Sequence, residues 1–227
     1  METPECKENH ILIGKCVVVG DERVGKSCFI SRLCGQPFRN TYSATLVDMA
    51  PVKTTKDGNL MLVDCWDTPG AHNLEKIRFL AYQNAHIFAI CFSVAIVESF
   101  EHIRSKWLKE VRENGPKNAV LFLIGLQNDL RADESINKEL RSKGLEMPTI
   151  DQCSDLAESI GAVSYFECSS KANVGFENIL DAMKETVQNP IKIVRHASVS
   201  SPRGSLTGFP SNVPKTSLQN TQRTSGL

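Results

Sequence analysis

Short apolar segments rich in β-branched residues recur along the chain, and most of them are far enough apart for a helix to lie between. The segments are ILIGKCVVV (11–19), LVDMAPV (46–52), LMLVDCW (60–66), HIFAICFSV (86–94), AVLFLIG (119–125) and AVSYFEC (162–168). Intervening stretches such as FEHIRSKWLKEVREN and IDQCSDLAESIG have apolar residues at helical spacing. This alternation predicts an α/β fold, with a mostly parallel six-stranded sheet and helices on both faces.

The second and third apolar segments break this alternation. Only TTKDGN separates them, and Asp57-Gly58 is a strong signal for a tight hairpin. We therefore expect one antiparallel strand at the edge of the sheet.

The composition changes after Asn189-Pro190. Residues 189–227 are rich in Ser, Thr, Pro and Gly and contain few large apolar residues, so they cannot bury enough surface to offset the entropy cost of ordering. We expect an N-terminal extension at 1–10, a folded domain at 11–188 and a disordered tail at 189–227.

Charge and cysteine content exclude several classes of function. The 26 basic and 26 acidic residues cancel, which gives no overall field for binding nucleic acid. The eight cysteines lie mostly in apolar segments without a CxxC or Cys/His cluster, which indicates buried reduced thiols rather than disulfides or a zinc site. With no signal segment and no apolar run near 18 residues, we expect a cytoplasmic protein. We also expect a monomer.

The segment GDERVGKS, Gly20 to Ser27, follows the first apolar strand and precedes a stretch with helical spacing. It matches G-x-x-x-x-G-K-[ST] in the strand–loop–helix setting that this motif requires. Glycines let backbone N–H groups close around phosphates, Lys26 places charge on the β and γ oxygens, and Ser27 offers a hydroxyl to magnesium. The sequence thus predicts a nucleoside triphosphate site, with a purely structural glycine-rich turn as the alternative.

A second apolar strand leads into WDTPGAH, residues 66–72. Asp67 is placed to hold magnesium, and Gly70 to donate a backbone N–H to the γ-phosphate. A surface aspartate at a strand end is the alternative for Asp67. The residue after the glycine is Ala71, which cannot orient an attacking water.

Two later stretches indicate which base is bound. LIGLQNDL places Asp129 after a buried strand, and YFECSSKAN places Ser169, Ser170 and Lys171 after another, where loops meet at the carboxyl edge of the sheet. A carboxylate there can accept hydrogen bonds from guanine N1 and N2. A backbone N–H near Ser170 can meet guanine O6, and the stem of Lys171 can cover the base. These features favour guanine over adenine.

Taken in order, these motifs resemble those of the Ras-superfamily small GTPases, and specifically of the Rho family. FRNTYSATLVDM resembles the first switch, WDTPGAHNLEKIRFLAY the second, and LRADESINKELRSKGLEMPTI the helical insert that separates Rho proteins from other Ras relatives. The resemblance covers about residues 11–188. It implies a P-loop G domain with a Rho-type insert helix, and GTP or GDP with Mg²⁺ as ligands.

The resemblance also implies roles for individual residues. Phe38 would pack on the base edge, Tyr42 would lie near the phosphates, and Thr45 would join Ser27 and Asp67 as a magnesium ligand. The nucleotide-binding residues expected in all are Gly20, Asp21, Glu22, Arg23, Val24, Gly25, Lys26, Ser27, Cys28, Phe38, Tyr42, Thr45, Asp67, Gly70, Gln127, Asp129, Ser169, Ser170 and Lys171.

Several positions depart from the Rho pattern. Glu22, followed by Arg23, replaces a small glycine in the phosphate loop, and Ala71 replaces the glutamine after Asp-x-x-Gly. Leu126 replaces the residue whose side chain braces the phosphate loop, and Gln127 stands at the lysine position, where its stem can still cover the base. We expect a protein that binds GTP, hydrolyses it very slowly and stays mainly GTP-bound, with no catalytic residue assigned.

Other functions stay open at this point. The chain could be an ordinary cycling GTPase, a pseudo-GTPase interaction protein, or an unrelated P-loop ATPase or kinase, the last disfavoured by Asp129 and the Ser-Ser-Lys motif. His72 resembles the catalytic histidine of DTPGH in translation-type GTPases, but Ala71 shifts it by one position and turns it away from the attacking water. A solvated histidine is the alternative.

The resemblance also implies partners. Rho effectors in actin and polarity signalling would contact switch segments 38–50 and 67–82, exchange factors are further partners, and activating proteins would not stimulate hydrolysis. The apolar residues expected at this surface are Tyr42, Leu46, Val47, Leu74, Ile77, Phe79 and Leu80, with about half of them serving as core instead.

Rho proteins commonly end in a prenylated Cys-a-a-X box, whereas this chain ends RTSGL with no cysteine beyond Cys168. We expect no stable lipid anchor, and recruitment to membranes or cytoskeleton by partners. In the tail, Arg195 lies three residues before Ser198, and Pro202 follows Ser201, which suits phosphorylation by basophilic and proline-directed kinases. An unmodified linker is the alternative.

Overall fold

Strands and helices alternate along the residues that the computed structural model describes, which are 11–38, 46–56 and 59–188. The strands are β1 (Ile11–Val19), β2 (Asp48–Lys56), β3 (Asn59–Asp67), β4 (Ile87–Ser93), β5 (Val120–Leu126) and β6 (Tyr165–Cys168). The helices are α1 (Lys26–Leu33), α2 (Glu75–Tyr82), α3 (Val97–His102), α4 (Leu108–Asn114), α5 (Glu134–Ser142), α6 (Ile150–Ile160) and α7 (Phe176–Gln188).

The six strands form one sheet in the order β2-β3-β1-β4-β5-β6. Strand β2 pairs with β3 in antiparallel register, from Asp48 opposite Asp67 to Lys56 opposite Asn59. All other neighbours are parallel. The predicted α/β sheet with one antiparallel edge strand is therefore confirmed.

Element boundaries agree with the sequence in some places and differ in others. Strand β1 has the predicted limits, whereas β6 begins three residues later than expected, because its pairing with β5 starts at Tyr165. The predicted helix at 100–114 is interrupted by a π-helical turn at Ile103–Trp107, which joins α3 to α4. Helix α5 confirms a helix in the insert, and α7 is a helix that the sequence patterns above did not single out.

Helices cover both faces of the sheet, and each face has its own apolar cluster. One cluster includes Phe29 of α1 and Ile179 of α7. The other includes Leu156 of α6 and Trp107 of the π-helical turn. Strands β4 and β5 are buried along their whole length, as parallel strands covered on both faces should be. The carboxyl ends of the parallel strands lead into the loops that carry the predicted motifs.

The cysteines follow the predicted pattern within the described residues. Cys16, Cys65, Cys91, Cys153 and Cys168 are buried, Cys28 and Cys34 are partly buried, and all seven are free thiols. Burial raises the pKa of Cys168 to about 12, so its thiol stays protonated and packs as an apolar group.

Several predictions lie outside the described residues. They concern the extension at 1–10, the turn residues Asp57 and Gly58, the ligands Tyr42 and Thr45, and the tail at 189–227 with Ser198 and Ser201. Among the helices that the structure does describe, none combines the length and apolar character needed to cross a bilayer.

Candidate nucleotide site

The phosphate loop between β1 and α1 has a backbone that requires its glycines. Gly20 has φ 147° and Gly25 has φ 106°, values that side chains disfavour. A Cβ atom on Gly20 would lie 2.1 Å from the carbonyl oxygen of Cys91. The loop can therefore take this tight path, close to the end of β4, only with glycine at position 20.

Lys26 is the first residue of α1 and directs its side chain back to this loop. Its side chain is buried, and Nζ donates to the carbonyl oxygens of Gly20 at 2.8 Å and Asp21 at 2.7 Å. Burial lowers the pKa of Lys26, and the charge of Asp67 opposes that shift. A buried ammonium directed at the phosphate loop from the N-terminus of α1 is suited to bind phosphate oxygens.

Ser27 and Asp67 bring a hydroxyl and a carboxylate together beside Lys26. Ser27 Oγ donates to Asp67 Oδ2 at 2.5 Å. Thr68 Oγ1 donates to the carbonyl oxygen of Val18 at 2.7 Å, which fixes the end of β3 against β1. Oxygen donors of this kind suit Mg²⁺, so the residues present fit the ion that the motif implies.

The Asp-x-x-Gly loop lies directly against the phosphate loop. A Cβ atom on Gly70 would lie 2.3 Å from the backbone nitrogen of Glu22, so only glycine allows this approach. The Glu22 side chain is exposed at the same place. Ala71 follows with a side chain that has no hydrogen-bonding atom, and His72 is exposed at the start of a short 3₁₀ turn.

A pocket beside the loop collects the residues predicted to contact the base. It is lined by Gly25, Cys28, Phe38, Leu126, Gln127, Asp129, Leu130, Ser170 and Lys171. Ser169 is fully buried, and its Oγ donates to Asp129 Oδ1 at 2.6 Å and accepts from the backbone of Ala172 at 2.9 Å. This bond orients the Asp129 carboxylate. Ser169 thus does not line the pocket but holds Asp129, which does. Leu130 is a lining residue that the sequence did not predict.

Leu126 and Gln127 pack beside the phosphate loop. Leu126 is buried, and a Cβ built on Gly25 would lie 3.8 Å from both Leu126 Cδ1 and Gln127 Nε2. Gln127 has φ 61°, and its Oε1 accepts from Ser93 Oγ at 2.5 Å. An apolar contact from Leu126 therefore stands where the Rho pattern has a bracing hydrogen bond. Ser93 holds the Gln127 amide.

The structure brings the described site residues together at one edge of the sheet, with two refinements. Val24 is fully buried in the core, so only its backbone can serve a ligand. The Asp21 carboxylate accepts from Trp107 Nε1 at 2.9 Å and lies 2.6 Å from His102 Nδ1. Since that side chain contacts the helix, Asp21 too would act on phosphate through its backbone.

Two ionic clusters near the site were missed at the sequence level. Arg131 forms a bidentate pair with Glu167, which ties the pocket loop to β6. It also donates to the carbonyl oxygen of Pro148. Arg78 pairs with Glu110 across α2 and α4. Single charged residues on helices and loops ordinarily indicate a solvated face, so nothing in the sequence pattern distinguishes these partly or fully buried pairs.

The expected switch surface divides between exposed and packed residues. Leu46 and Leu80 are exposed, Val47 and Phe79 pack against the core, and Leu74 and Ile77 are partly buried. Tyr42 lies outside the described residues. The exposed pair supplies apolar surface in the two predicted switch segments.

Comparison with known proteins decides the family. The profile of the Ras family matches residues 15–189, which include the phosphate loop, the Asp-x-x-Gly loop and the base pocket. The chain belongs to the Ras family of small GTPases.

Rho proteins are among the relatives of this small GTPase. It is 37% identical over 169 residues to "Rho-related GTP-binding protein RhoV" of Rattus norvegicus, covering 74% of this chain and 71% of the relative. It is 40% identical over 171 residues to the protein of the same name from Bos taurus, with the same coverage. "GTP-binding protein Rho1" of Kluyveromyces lactis is 32% identical over 168 residues, covering 74% of this chain and 80% of the relative.

These relatives confirm the Rho-family resemblance and the G-domain fold. The family binds guanine nucleotide, and effectors, exchange factors and activating proteins are its general kinds of partner.

Proposed function

We propose that this chain is a Rho-type switch that binds GTP with Mg²⁺, hydrolyses it very slowly and remains mainly in the GTP-bound state. The observation that carries this proposal is the contrast between the predicted binding residues that meet at one edge of the sheet and a neighbouring loop without a water-orienting group. Lys26 faces the phosphate loop, whereas Ala71 follows Gly70 with a side chain that ends at Cβ.

The binding residues would act in the following way. Lys26 and the backbone of the phosphate loop would hold the phosphates, and Asp129, oriented by Ser169, would accept hydrogen bonds from guanine. Ser27 and Asp67, with Thr45, would hold Mg²⁺, which when bound neutralises charge on the β- and γ-phosphates. These contacts act on the ground state of the bound nucleotide.

Two substitutions would lower hydrolysis without removing those contacts. Ala71 has no donor or acceptor with which to orient water, and exposed Glu22 adds bulk and negative charge beside Gly70. An incoming arginine from an activating protein would approach this same region. Because both changes act on the transition state, binding should persist while turnover falls.

Effector binding follows from the same proposal. Exposed Leu46 and Leu80 lie in the two switch segments and would contribute apolar contacts to a partner that binds the GTP state. Regulation would then depend on abundance, modification or recruitment rather than on hydrolysis.

Single-turnover hydrolysis tests the proposal. The purified protein is loaded with GTP labelled at the γ-phosphate, and phosphate release is followed with and without a catalytic domain of a Rho activating protein. We expect a rate no faster than the slow intrinsic rate of the class, about 10⁻⁴ per second, and no acceleration by the activator. Rapid activated release would establish an ordinary cycling GTPase, and failure to load would establish a pseudo-GTPase.

A further inference from the structure

Three consecutive carbonyl oxygens of the Asp-x-x-Gly loop accept hydrogen bonds from two cationic side chains. Arg78 Nη1 donates to Pro69 at 3.1 Å and to Ala71 at 2.6 Å. Lys106 Nζ donates to Gly70, the carbonyl between them, at 3.2 Å. The chain itself therefore fixes the backbone of this loop at every residue from 69 to 71.

Both cations are held in place by their own partners. Arg78 is fully buried, forms a bidentate pair with Glu110 at 2.8 and 2.6 Å, and lies 5.0 Å from the centre of the Trp107 ring. Lys106 lies 4.1 Å from the centre of the same ring and 3.7 Å from Asp21 Oδ1. Arg78 is buried and Lys106 is partly exposed, and both contact Trp107 and a carboxylate, so together they form a frame for the loop.

The π-helical turn at Ile103–Trp107 places this frame. Helix residues at its ends contact both loops of the site, because His102 and Trp107 bind the Asp21 carboxylate while Lys106 binds Gly70. π-Helical turns occur frequently at functional sites. One short helical segment thus connects the phosphate loop to the Asp-x-x-Gly loop.

Gly70 is consequently fixed from two sides. Its backbone lies against the nitrogen of Glu22, where an added Cβ would be 2.3 Å away, and its carbonyl is bound by Lys106. The Gly70 N–H shares its peptide with the Pro69 carbonyl, which accepts from Arg78, and the Gly70 carbonyl belongs to the next peptide, which accepts from Lys106. Arg78 therefore sets the direction of the Gly70 N–H, and Lys106 fixes the peptide that follows it.

We propose that Lys106 and Arg78 are positioning residues for the terminal phosphate of the nucleotide, because they hold the two peptides on either side of Gly70 in a binding-competent orientation even without a ligand. The proposal rests on the proposed function, because it names how that site distinguishes a triphosphate from a diphosphate. A preordered loop adds no ordering cost to triphosphate binding, so preference for the triphosphate should depend on the Lys106 ammonium.

The test compares Lys106→Met, which keeps an unbranched side chain of similar length but removes the charge, with Lys106→Arg, which keeps a donor. Lys109→Met is the matched control, since Lys109 is exposed on the next turn of the same helix. Affinities for GDP and for a non-hydrolysable GTP analogue are measured in Mg²⁺. Hydrogen exchange at the amides of residues 70–74 is measured without nucleotide, and melting temperatures verify folding.

We expect Lys106→Met to weaken binding of the analogue about threefold to tenfold relative to GDP and to speed exchange at 70–74. Lys106→Arg should recover both properties, and Lys109→Met should match the wild type. An unchanged affinity ratio, or fast exchange in the wild-type protein, would overturn the positioning role while leaving nucleotide binding intact. A wild-type protein that binds neither nucleotide would overturn the proposed function and this role together.

Discussion

At the scale of single residues, the site separates groups that would bind the nucleotide from positions that would affect its hydrolysis. Lys26 and Asp129 have fixed hydrogen-bond partners in the phosphate loop and the base pocket. Positions 22 and 71 lie where the phosphate loop meets the Asp-x-x-Gly loop. Substitutions at the two kinds of position should therefore have different kinetic signatures.

Restoring the family residues at positions 22 and 71 should partly restore hydrolysis. Glu22→Gly removes bulk and charge beside Gly70, and Ala71→Gln supplies a side chain that can orient water. With a Rho activating protein present, we expect the double variant to hydrolyse GTP at least about a hundredfold faster than the unmutated protein, since water-orienting and arginine contributions are large. Single-turnover phosphate release measures this rate. No gain in the double variant would show that other residues limit turnover.

Base recognition should depend on the Asp129 carboxylate. In Asp129→Asn one acceptor becomes a donor that faces the donors of guanine, and we expect affinity for GDP to fall about a hundredfold, the loss of two hydrogen bonds to a charged group. Asp133→Asn is the control, because Asp133 caps α5 outside the pocket. Displacement of a fluorescent guanine nucleotide reports both affinities, and equal values for the two variants would contradict the assigned pocket.

The sequence predicted the residues whose roles depend on short motifs. Lys26, Ser27 and Asp67 were found because their spacing along the chain defines the chemistry, and Asp129 because it follows a buried strand. The bonds of Arg78 and Lys106 to the loop carbonyls depend on how α2 and the π-helical turn pack. Composition and periodicity do not encode that packing.

At the scale of elements, the contact between β1 and α7 holds the strand that leads into the phosphate loop. Gly14 of β1 lies under Val187 of α7, and an added Cβ would be 2.3 Å from Val187 Cγ2. The absence of a side chain at position 14 therefore allows the last helix to pack close to the central strand. This packing fixes the strand that leads into the phosphate loop.

A side chain at position 14 should destabilise the domain, and a smaller side chain at position 187 should relieve that effect. We expect Gly14→Ala to cost about 1–3 kcal/mol of unfolding free energy through overpacking. Combining it with Val187→Ala should cost less than the sum of the two single substitutions, because the shortened side chain makes room. Urea unfolding of the four proteins gives this coupling directly. Additive costs would show that the two side chains do not share the space.

Elements were predictable where hydrophobic pattern and burial coincide. Strand β1 matched its predicted limits because its apolar run is bounded by the glycine-rich loop. Strand β6 began late, although Val163 N donates to the Leu121 carbonyl at 2.9 Å, because that bond precedes the regular ladder with β5. The π-helical turn was missed because its apolar spacing is nearly that of an α-helix.

At the scale of the whole molecule, one edge of a mostly parallel sheet gathers motifs that are far apart in the chain. The phosphate loop follows β1, the Asp-x-x-Gly loop follows β3, and the base-pocket residues follow β5 and β6. Strand order places these carboxyl ends side by side. The proposed guanine nucleotide site and the proposed slow hydrolysis together lead to one overall expectation, a protein that holds GTP.

The nucleotide that co-purifies with the protein tests this expectation most directly. The protein is purified rapidly in Mg²⁺, denatured, and its released nucleotide is separated by ion-exchange chromatography and quantified against the protein. We predict close to one equivalent of guanine nucleotide, with GTP in clear excess over GDP. Predominant GDP would contradict slow hydrolysis, and a nucleotide-free protein would contradict the binding site itself.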